Sequence, residues 1–358
     1  MASITVNAKA PTPKENLDPL KLEFGRTFAP LWFSSEYKDG AWQPGAVDTM
    51  QNISMHPAAI TLHYGQSIFE GLKAYKWQDG SLALFRPADN AKRFNRSAER
   101  MAMPKLDEKL FVDSIATLTA QLRDWIPGHP GSLYIRPCII ATEACIGVRT
   151  SAEYLYFVIA MPSGAYFPVT AGQSGAGAVK VYVTTDVARA APGGTGAVKA
   201  AVNYAVTLKI TGEAKAKGCS QVLFLDSQGN RKVEEMGGMN IFFIAGNKLM
   251  TPKLTDTFLA GVTRDSIVKL APKLGYEVQE SELDFDQLID GIRKGSITEA
   301  FACGTAAVIC GIKSFLIDGK DEVAFANAPG AVTSKLYEQL TGIQYGKVAD
   351  PFGWVVKA

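Results

Sequence analysis

Short apolar stretches separated by turn-forming residues run along most of the chain, and two periodicities alternate between them. Ile68 to Trp77 and Ser81 to Arg86 read as strands joined at Gln78-Asp79-Gly80, a hairpin signal. From Ala88 to Met101 the spacing becomes helical and places Arg93 and Arg96 one turn apart on the same face. A second helix, about Asp107 to Trp125, carries Leu110, Ile115, Leu118 and Leu122 at helical spacing and stops near Pro127. Leu133 to Thr142 and Tyr154 to Met161, rich in tyrosine, isoleucine and valine, predict buried strands.

Between Ser163 and Ala178 the composition shifts to glycine, alanine, proline and serine, which suits an interdomain linker. The expected organisation is therefore an N-terminal, smaller α/β domain over residues 1–165, a linker over 166–178 and a larger C-terminal domain over 179–358. In the second half, Val179 to Thr185 predicts a strand, Tyr204 to Lys217 a helix closed by Gly218, and Gln221 to Leu225 another strand. Asn240 to Ala245 and Lys248 to Thr251 form a hairpin around Gly246-Asn247, and Thr263 begins a helix to Leu274 with Gly275 beyond its end. Strands and helices alternate in both halves without a tandem repeat, so the class is mixed α and β. A length of 358 residues exceeds one typical core and agrees with two domains.

Charge narrows the partners. Lysine plus arginine (37) nearly balances aspartate plus glutamate (35), with no concentrated basic run, which argues against nucleic acid. Cys138, Cys145, Cys219, Cys303 and Cys310 are scattered and include no Cys-x-x-Cys pair, a pattern for buried thiols in a reducing compartment rather than a disulfide framework or a zinc site. His56, His63 and His129 have no metal-ligand spacing, so no metal is expected. Residues Met1 to Asp18 have neither an apolar signal core nor an arginine-rich amphipathic pattern, and no apolar stretch approaches the length of a membrane span. The expectation is a cytoplasmic protein without a membrane partner.

The chemistry concentrates in Gly193-Gly194-Thr195-Gly196-Ala197-Val198-Lys199-Ala200-Ala201-Val202-Asn203-Tyr204 and in the acidic, glycine-rich turn Val233-Glu234-Glu235-Met236-Gly237-Gly238-Met239-Asn240. The glycines fit neither a dinucleotide fingerprint, which needs a third glycine where Lys199 stands, nor a P-loop, which needs Gly-Lys-Ser/Thr. A lysine among small residues suits Schiff-base chemistry, because crowding and desolvation favour the neutral amine. A cofactor of the pyridoxal phosphate kind also needs an acid at its pyridine nitrogen, a hydroxyl at its phenolic oxygen and donors for its phosphate. Glu234 or Glu235 can supply the acid, since a carboxylate about 4 Å from a pyridinium gains on the order of 4 kcal/mol. Gly261-Val262-Thr263-Arg264 leads into a helix whose first amides make an anion site, to which Arg93 could add a permanent charge. Gly304-Thr305-Ala306, after the expected strand Glu299 to Cys303, can offer N–H groups and a hydroxyl to a carboxylate.

Taken together, Gly193 to Tyr204, Glu234 to Phe242, Gly261 to Arg264 and Phe301 to Ala307 resemble the branched-chain amino acid aminotransferases, which are fold-type IV pyridoxal phosphate enzymes. The likeness extends to Tyr64 through Tyr75, Phe85 through Arg100, Leu133 through Val148, Pro162 through Phe167 and Ile343-Gln344-Tyr345-Gly346, and so covers nearly the whole chain. It implies two α/β domains with the active site at their interface, a homodimer or higher homo-oligomer, and a pocket completed from the other subunit. It implies that Lys199 forms the internal aldimine and later moves a proton between the substrate Cα and the cofactor C4′. Of the two acids it selects Glu235 for the pyridine nitrogen, and it gives Tyr204 the phenolic oxygen. Arg93, Val262, Thr263 and Thr305 match phosphate contacts, and Arg189 a further arginine of the cofactor pocket. Thr305 and Ala306 look like the carboxylate-binding turn, while Tyr64, Phe69, Tyr134 and Tyr166 match the aromatic walls.

The implied reaction is transamination of leucine, isoleucine and valine with 2-oxoglutarate to give branched-chain 2-oxo acids and L-glutamate, Arg136 meeting the second carboxylate. A D-amino acid aminotransferase or lyase of the same fold shares the cofactor set, but the long N-terminal half and Tyr134-Ile135-Arg136 favour the L-specific branch. There are departures. Ala201 and Val202 stand where many relatives have glycines, Ala197 where an aspartate is frequent, and Ala307 in place of the first cysteine of the redox Cys-x-x-Cys of mammalian relatives, leaving Cys310 alone.

Overall fold

A computed structural model describes residues 4–13, 17–164, 166 and 176–358. Most of the expected linker, residues 167–175, thus lies outside the described residues. Contacts divide the chain into two units: 1–166 with 199–202 and 342–358, and 167–198 with 203–341. The four residues Lys199–Val202 group with the first unit although their neighbours in the chain belong to the second.

The first unit is built on a sheet of ten strands. It comprises β1 (Ile4–Val6), β2 (Leu31–Lys38), β3 (Ala41–Trp42), β4 (Gly45–Thr49), α1 (Ile60–Tyr64), β5 (Ser67–Phe69), β6 (Leu72–Lys76), β7 (Leu82–Phe85), α2 (Pro87–Arg100), α3 (Glu108–Gln121), β8 (Ser132–Ala141) and β9 (Tyr154–Ser163). The order is β1-β4-β2-β9-β8-β6-β7, closed by the C-terminal strand Val355–Lys357, with β3 on β2 and β5 on β8. The helices α2 and α3 bury Phe94 and Phe111, 5.2 Å apart, against Tyr156 at centroid separations of 5.9 and 6.4 Å. Phe33 packs on Tyr156 at 5.7 Å, and the Tyr156 hydroxyl meets Ser114 Oγ at 3.0 Å inside that core. Burial pushes the Tyr156 phenol well above its ordinary value.

The strand expected over Ile68 to Trp77 appears as β5 and β6, both paired with β8 in one continuous register, Phe69 opposite Cys138 and Leu72 opposite Ile135. The interruption has a chemical cause. Glu70 donates its N–H to the Pro137 carbonyl at 2.8 Å, but a proline has no N–H to return. The N-terminal strands β1 to β4 were not anticipated, because prolines and charges there mask any alternation.

The second unit carries a nine-stranded sheet. Its elements are β10 (Ala178–Thr184), α4 (Val202–Ala205, its first residue grouped with the first unit), α5 (Leu208–Ala216), β11 (Gln221–Leu225), β12 (Val233–Met236), β13 (Asn240–Ala245), β14 (Lys248–Pro252), α6 (Val262–Lys273), β15 (Glu277–Ser281), α7 (Phe285–Arg293), β16 (Glu299–Gly304), β17 (Val308–Ile317), β18 (Asp321–Ala324) and α8 (Ala331–Gln344). The sheet order is β12-β11-β10-β17-β16-β13-β14-β15, with β18 on β17. Its core packs Val181, Leu223, Met236, Ile241, Phe243 and Phe315 with the α7 side chains Phe285, Leu288, Ile289 and Ile292. The helix expected over Tyr204 to Lys217 is divided into α4 and α5, where Thr207 turns both its N–H and its hydroxyl onto the Tyr204 carbonyl. The acidic turn is also half strand: Val233 to Met236 form β12 at the sheet edge, all four buried, so no polar alternation marks them.

Candidate active site

In the first unit, Lys199 sits on a short segment that runs beside β5. Its N–H bonds Ser97 Oγ of α2 at 3.0 Å, its carbonyl accepts Phe69 N–H at 3.0 Å, and Ala201 N–H bonds the Ser67 carbonyl at 3.1 Å. The backbone is thereby fixed while the half-buried side chain projects over Phe69, its Nζ 4.8 Å from the ring centroid. An amine held against an aromatic face is partly stripped of water without being sealed in the core.

The same ring meets a second cation. Arg136 lies 4.5 Å above Phe69 and 5.4 Å above Tyr134, and its Nη2 donates to the Tyr134 hydroxyl at 3.1 Å. Phe24 packs edge-on to Tyr134 at 4.9 Å and to Tyr166 at 5.0 Å, and burial pushes the Tyr166 phenol up. The cluster offers apolar walls with one guanidinium set among them, and an apolar side chain or a carboxylate can each find a partner there. Tyr64, at the end of α1, is 39% exposed and its hydroxyl bonds the Ile146 carbonyl. Arg93 is buried on α2 and engages Glu70 through Nε at 2.6 Å and Nη2 at 2.8 Å, an acid that reasoning from the sequence had passed over.

In the second unit, Glu235 on β12 is 2% exposed. Its Oε1 stands 2.7 Å from Arg189 Nη1 as an ion pair and accepts Leu259 N–H at 3.1 Å. Arg189 Nη1 also reaches the Thr257 carbonyl at 3.4 Å, while its buried Nε has no hydrogen-bond partner among the described residues. Beyond β12 the chain doubles back at Gly237-Gly238, and the Tyr204 ring edge lies 3.7 Å from where a Cβ on Gly238 would stand. Gly304 abuts the same turn through Met239, which brings Thr305 and Ala306 into this neighbourhood. The helix α6 starts beside it, at a glycine cap, Gly261, with no side-chain capping bond. A Cβ at Gly261 would fall 2.1 Å from Asn240 Oδ1, so only glycine fits. Val262 and Thr263 open this helix, and Thr263 is buried there. Asn203 fastens the loop on either side of Lys199–Val202, its Nδ2 bonding the carbonyls of Thr195 at 2.7 Å and Val198 at 2.8 Å.

These donors suit a phosphorylated pyridine aldehyde. A buried carboxylate facing a guanidinium and an N–H suits a protonated heteroaromatic nitrogen, and a helix N-terminus opening on Val262 and Thr263 suits a phosphate. Among the described residues, no group of three or more His, Cys, Asp or Glu is placed to hold a metal ion, and no helix is long and apolar enough to cross a membrane.

A family model of the class IV amino-transferases matches residues 67–315. The probable branched-chain-amino-acid aminotransferase of Streptomyces coelicolor is 45% identical over 335 residues, 93% of this chain and 91% of that one. The chain belongs to the class IV branched-chain-amino-acid aminotransferases. Solved structures agree with this aminotransferase assignment and with a fold of type IV. The branched-chain amino acid aminotransferase of Escherichia coli aligns with a TM-score of 0.74 and 28% identity, covering 90% of this chain and 98% of that one. The branched-chain aminotransferase of the archaeon Thermoproteus uzoniensis, solved with norvaline, aligns with a TM-score of 0.72 and 26% identity, covering 90% and 98%. Reasoning from the sequence overlooked three residues that touch the candidates: Glu70 on Arg93, Phe24 on Tyr134 and Tyr166, and Asn203 on the loop before Lys199. Glu70 lay hidden inside an apolar run and Phe24 in a proline-flanked segment without periodicity, whereas Asn203, beside the lysine motif, could have been noticed as a side chain able to bond two carbonyls.

Proposed function

We propose that the chain uses pyridoxal 5'-phosphate to transfer the amino group of L-leucine, L-isoleucine and L-valine to 2-oxoglutarate, giving branched-chain 2-oxo acids and L-glutamate. The observations that carry this reading are an aromatic-backed lysine, Lys199, in the first unit, and a buried acid held by an arginine, Glu235 on Arg189, in the second. When bound, the cofactor supplies a protonated ring that takes up electron density from the substrate Cα. Lys199 Nζ attaches it and moves the proton between the substrate Cα and the carbon that receives the amino group. Glu235 holds the proton on the ring nitrogen, and Tyr204 donates its hydroxyl to the phenolic oxygen. Arg93, the first turn of α6 at Val262 and Thr263, and Thr305 bind the phosphate. Thr305 and Ala306 orient the substrate carboxylate, and Phe69, Tyr134 and Tyr166, with Phe24, enclose the branched side chain. Arg136 meets the distal carboxylate when glutamate occupies the same walls, which explains how one pocket serves two side chains.

A cytoplasmic homodimer is part of the reading. Five free cysteines suit a reducing compartment, and the exposed apolar residues Tyr64, Ile146 and Val148, 39%, 65% and 85% exposed, are ones a second copy would cover. The test is borohydride reduction of the yellow protein followed by peptide mapping, together with turnover of L-leucine and 2-oxoglutarate. The adduct is expected on Lys199, and Lys199→Ala should lose the overall reaction by about 10⁴-fold or more while remaining folded. An adduct elsewhere, or turnover of D-alanine with none of L-leucine, would overturn the proposal.

A further inference from the structure

Glu234 is the acid that the resemblance passed over, and it is as buried as a structural residue should be, 7% exposed. Consecutive strand residues point to opposite faces. Accordingly Glu234 lines a cavity of about 530 Å³, together with Asp226, Lys232, Lys253 and Thr257, and Glu235 does not. Glu234 Oε1 accepts a 2.5 Å hydrogen bond from Thr257 Oγ1, a hydroxyl that also lies 2.8 Å from Thr255 Oγ1.

Thr257 belongs to a stretch, Thr255 to Leu259, that has no helix or strand of its own, so few ladder bonds hold it. Yet this stretch delivers much of the order around Glu235. The Thr257 carbonyl accepts Arg189 Nη1 at 3.4 Å and Leu259 N–H bonds Glu235 Oε1 at 3.1 Å. The Asp256 carbonyl accepts Ala197 N–H at 3.0 Å and its Oδ2 accepts Gly193 N–H at 2.7 Å. Gly196 passes so close that a Cβ there would fall 2.0 Å from the Thr257 carbonyl oxygen. The arginine, the acid and the loop leading to the lysine therefore all lean on one irregular segment.

We propose that Glu234 is a positioning residue: its hydrogen bond to Thr257 pins this segment from the face opposite Glu235 and thereby sets the contacts that Arg189 and Leu259 place on Glu235. The inference rests on the reading of Glu235 as the partner of the cofactor nitrogen. Without the pin, Thr257 to Leu259 gain freedom, Glu235 Oε1 loses its fixed partners, and the acid's grip on the ring nitrogen weakens. A packing role alone would lower stability without changing the cofactor's electronics.

The experiment compares Glu234→Ala, Glu234→Gln, Thr257→Val and Thr257→Ser in the holoenzyme. It reads the pH titration of the bound cofactor's visible absorption, and kcat and KM for L-leucine. Glu234→Ala and Thr257→Val should each shift the spectral midpoint and lower kcat about tenfold, the effect of one buried hydrogen bond to a charged group, with KM held within about twofold. Combined, they should do no worse than either alone, since both remove one contact. Glu234→Gln and Thr257→Ser keep an acceptor and a donor, and should behave as the parent. If Glu234→Ala fails to fold, Thr257→Val breaks the same bond from the other side. Folded Ala and Val variants with unchanged spectral midpoint and kcat would overturn the inference. A parent protein with no reducible chromophore on Lys199 would instead overturn the reading beneath it.

Discussion

Two buried arginine–glutamate pairs, one in each unit, are built differently. Arg93 and Glu70 are 4% and 0% exposed and meet as fork on fork, with Gly71 N–H adding a third bond to Glu70 Oε2 at 3.0 Å. Arg189 and Glu235 are 5% and 2% exposed but touch end-on, Nη1 to Oε1, where Leu259 N–H also converges. The forked pair ties α2 to the break between β5 and β6 and commits both carboxylate oxygens to the protein. The end-on pair fixes the charge of Glu235 without committing its second oxygen to the arginine. Equal chemistry thus serves position in one unit and charge in the other.

The sharpest way to break this comparison is to remove one acid from each pair. Glu70→Ala should destabilise the protein by about 3–5 kcal/mol, because a buried guanidinium is stranded; urea unfolding that shows under about 1 kcal/mol would mean the fork is not structural. Glu235→Gln should lower kcat on the order of 100-fold, within the roughly three pKa units that such a carboxylate is worth to a pyridinium. Its stability loss should be smaller than that of Glu70→Ala, since Arg189 keeps the Thr257 carbonyl and the amide keeps Leu259. Equal unfolding losses and an unchanged kcat would erase the distinction.

Each unit also has a further buried ionisable group, Lys73 in the first and Glu234 in the second. Burial lowers the Lys73 ammonium to about 8 from the ordinary 10.5. The unfolded chain therefore binds the proton more tightly, and stability is lowest below about pH 8 and recovers as pH rises toward 10.5. Lys73→Met should gain about 3 kcal/mol at neutral pH, and the gain should shrink across that window in thermal melts; a pH-independent difference would refute it. Burial raises the Glu234 carboxyl, against the Thr257 hydrogen bond. The folded state then holds that proton more tightly, so wild type should lose stability relative to Glu234→Gln as pH climbs above the ordinary carboxylate range. This is the smallest effect, and a difference of opposite sign would show that Thr257 outweighs burial.

Burial also explains the thiols. It pushes Cys310 up to about 12 and Cys138 to about 11, so neither is a ready nucleophile at neutral pH.

How far the sequence could be read follows from the same physics. α2, β8, β9, β11 and α6 were legible to within a residue or two, because helical spacing or a run of β-branched, aromatic and leucine residues marks each of them. The unreadable parts were those where periodicity is silent: β12, buried at every position; the break between β5 and β6, which depends on Pro137 across the sheet; and the break at Thr207, a local hydroxyl bond. Among site residues, Lys199 and the acidic pair were visible as local motifs, while Phe24, Glu70 and Asn203 act through partners from 5 to more than 100 positions away.

What the sequence determined by itself is the mixed α/β class, the lysine, and the presence of two adjacent acids near a glycine turn, because these depend on residue type and local spacing. Which acid faces the arginine and which faces the cavity was decided only by the tertiary structure. A strand alternates its side chains, but the partners that give each face a meaning, Arg189 and Leu259 on one side and Thr257 on the other, come from distant segments that folding alone brings together.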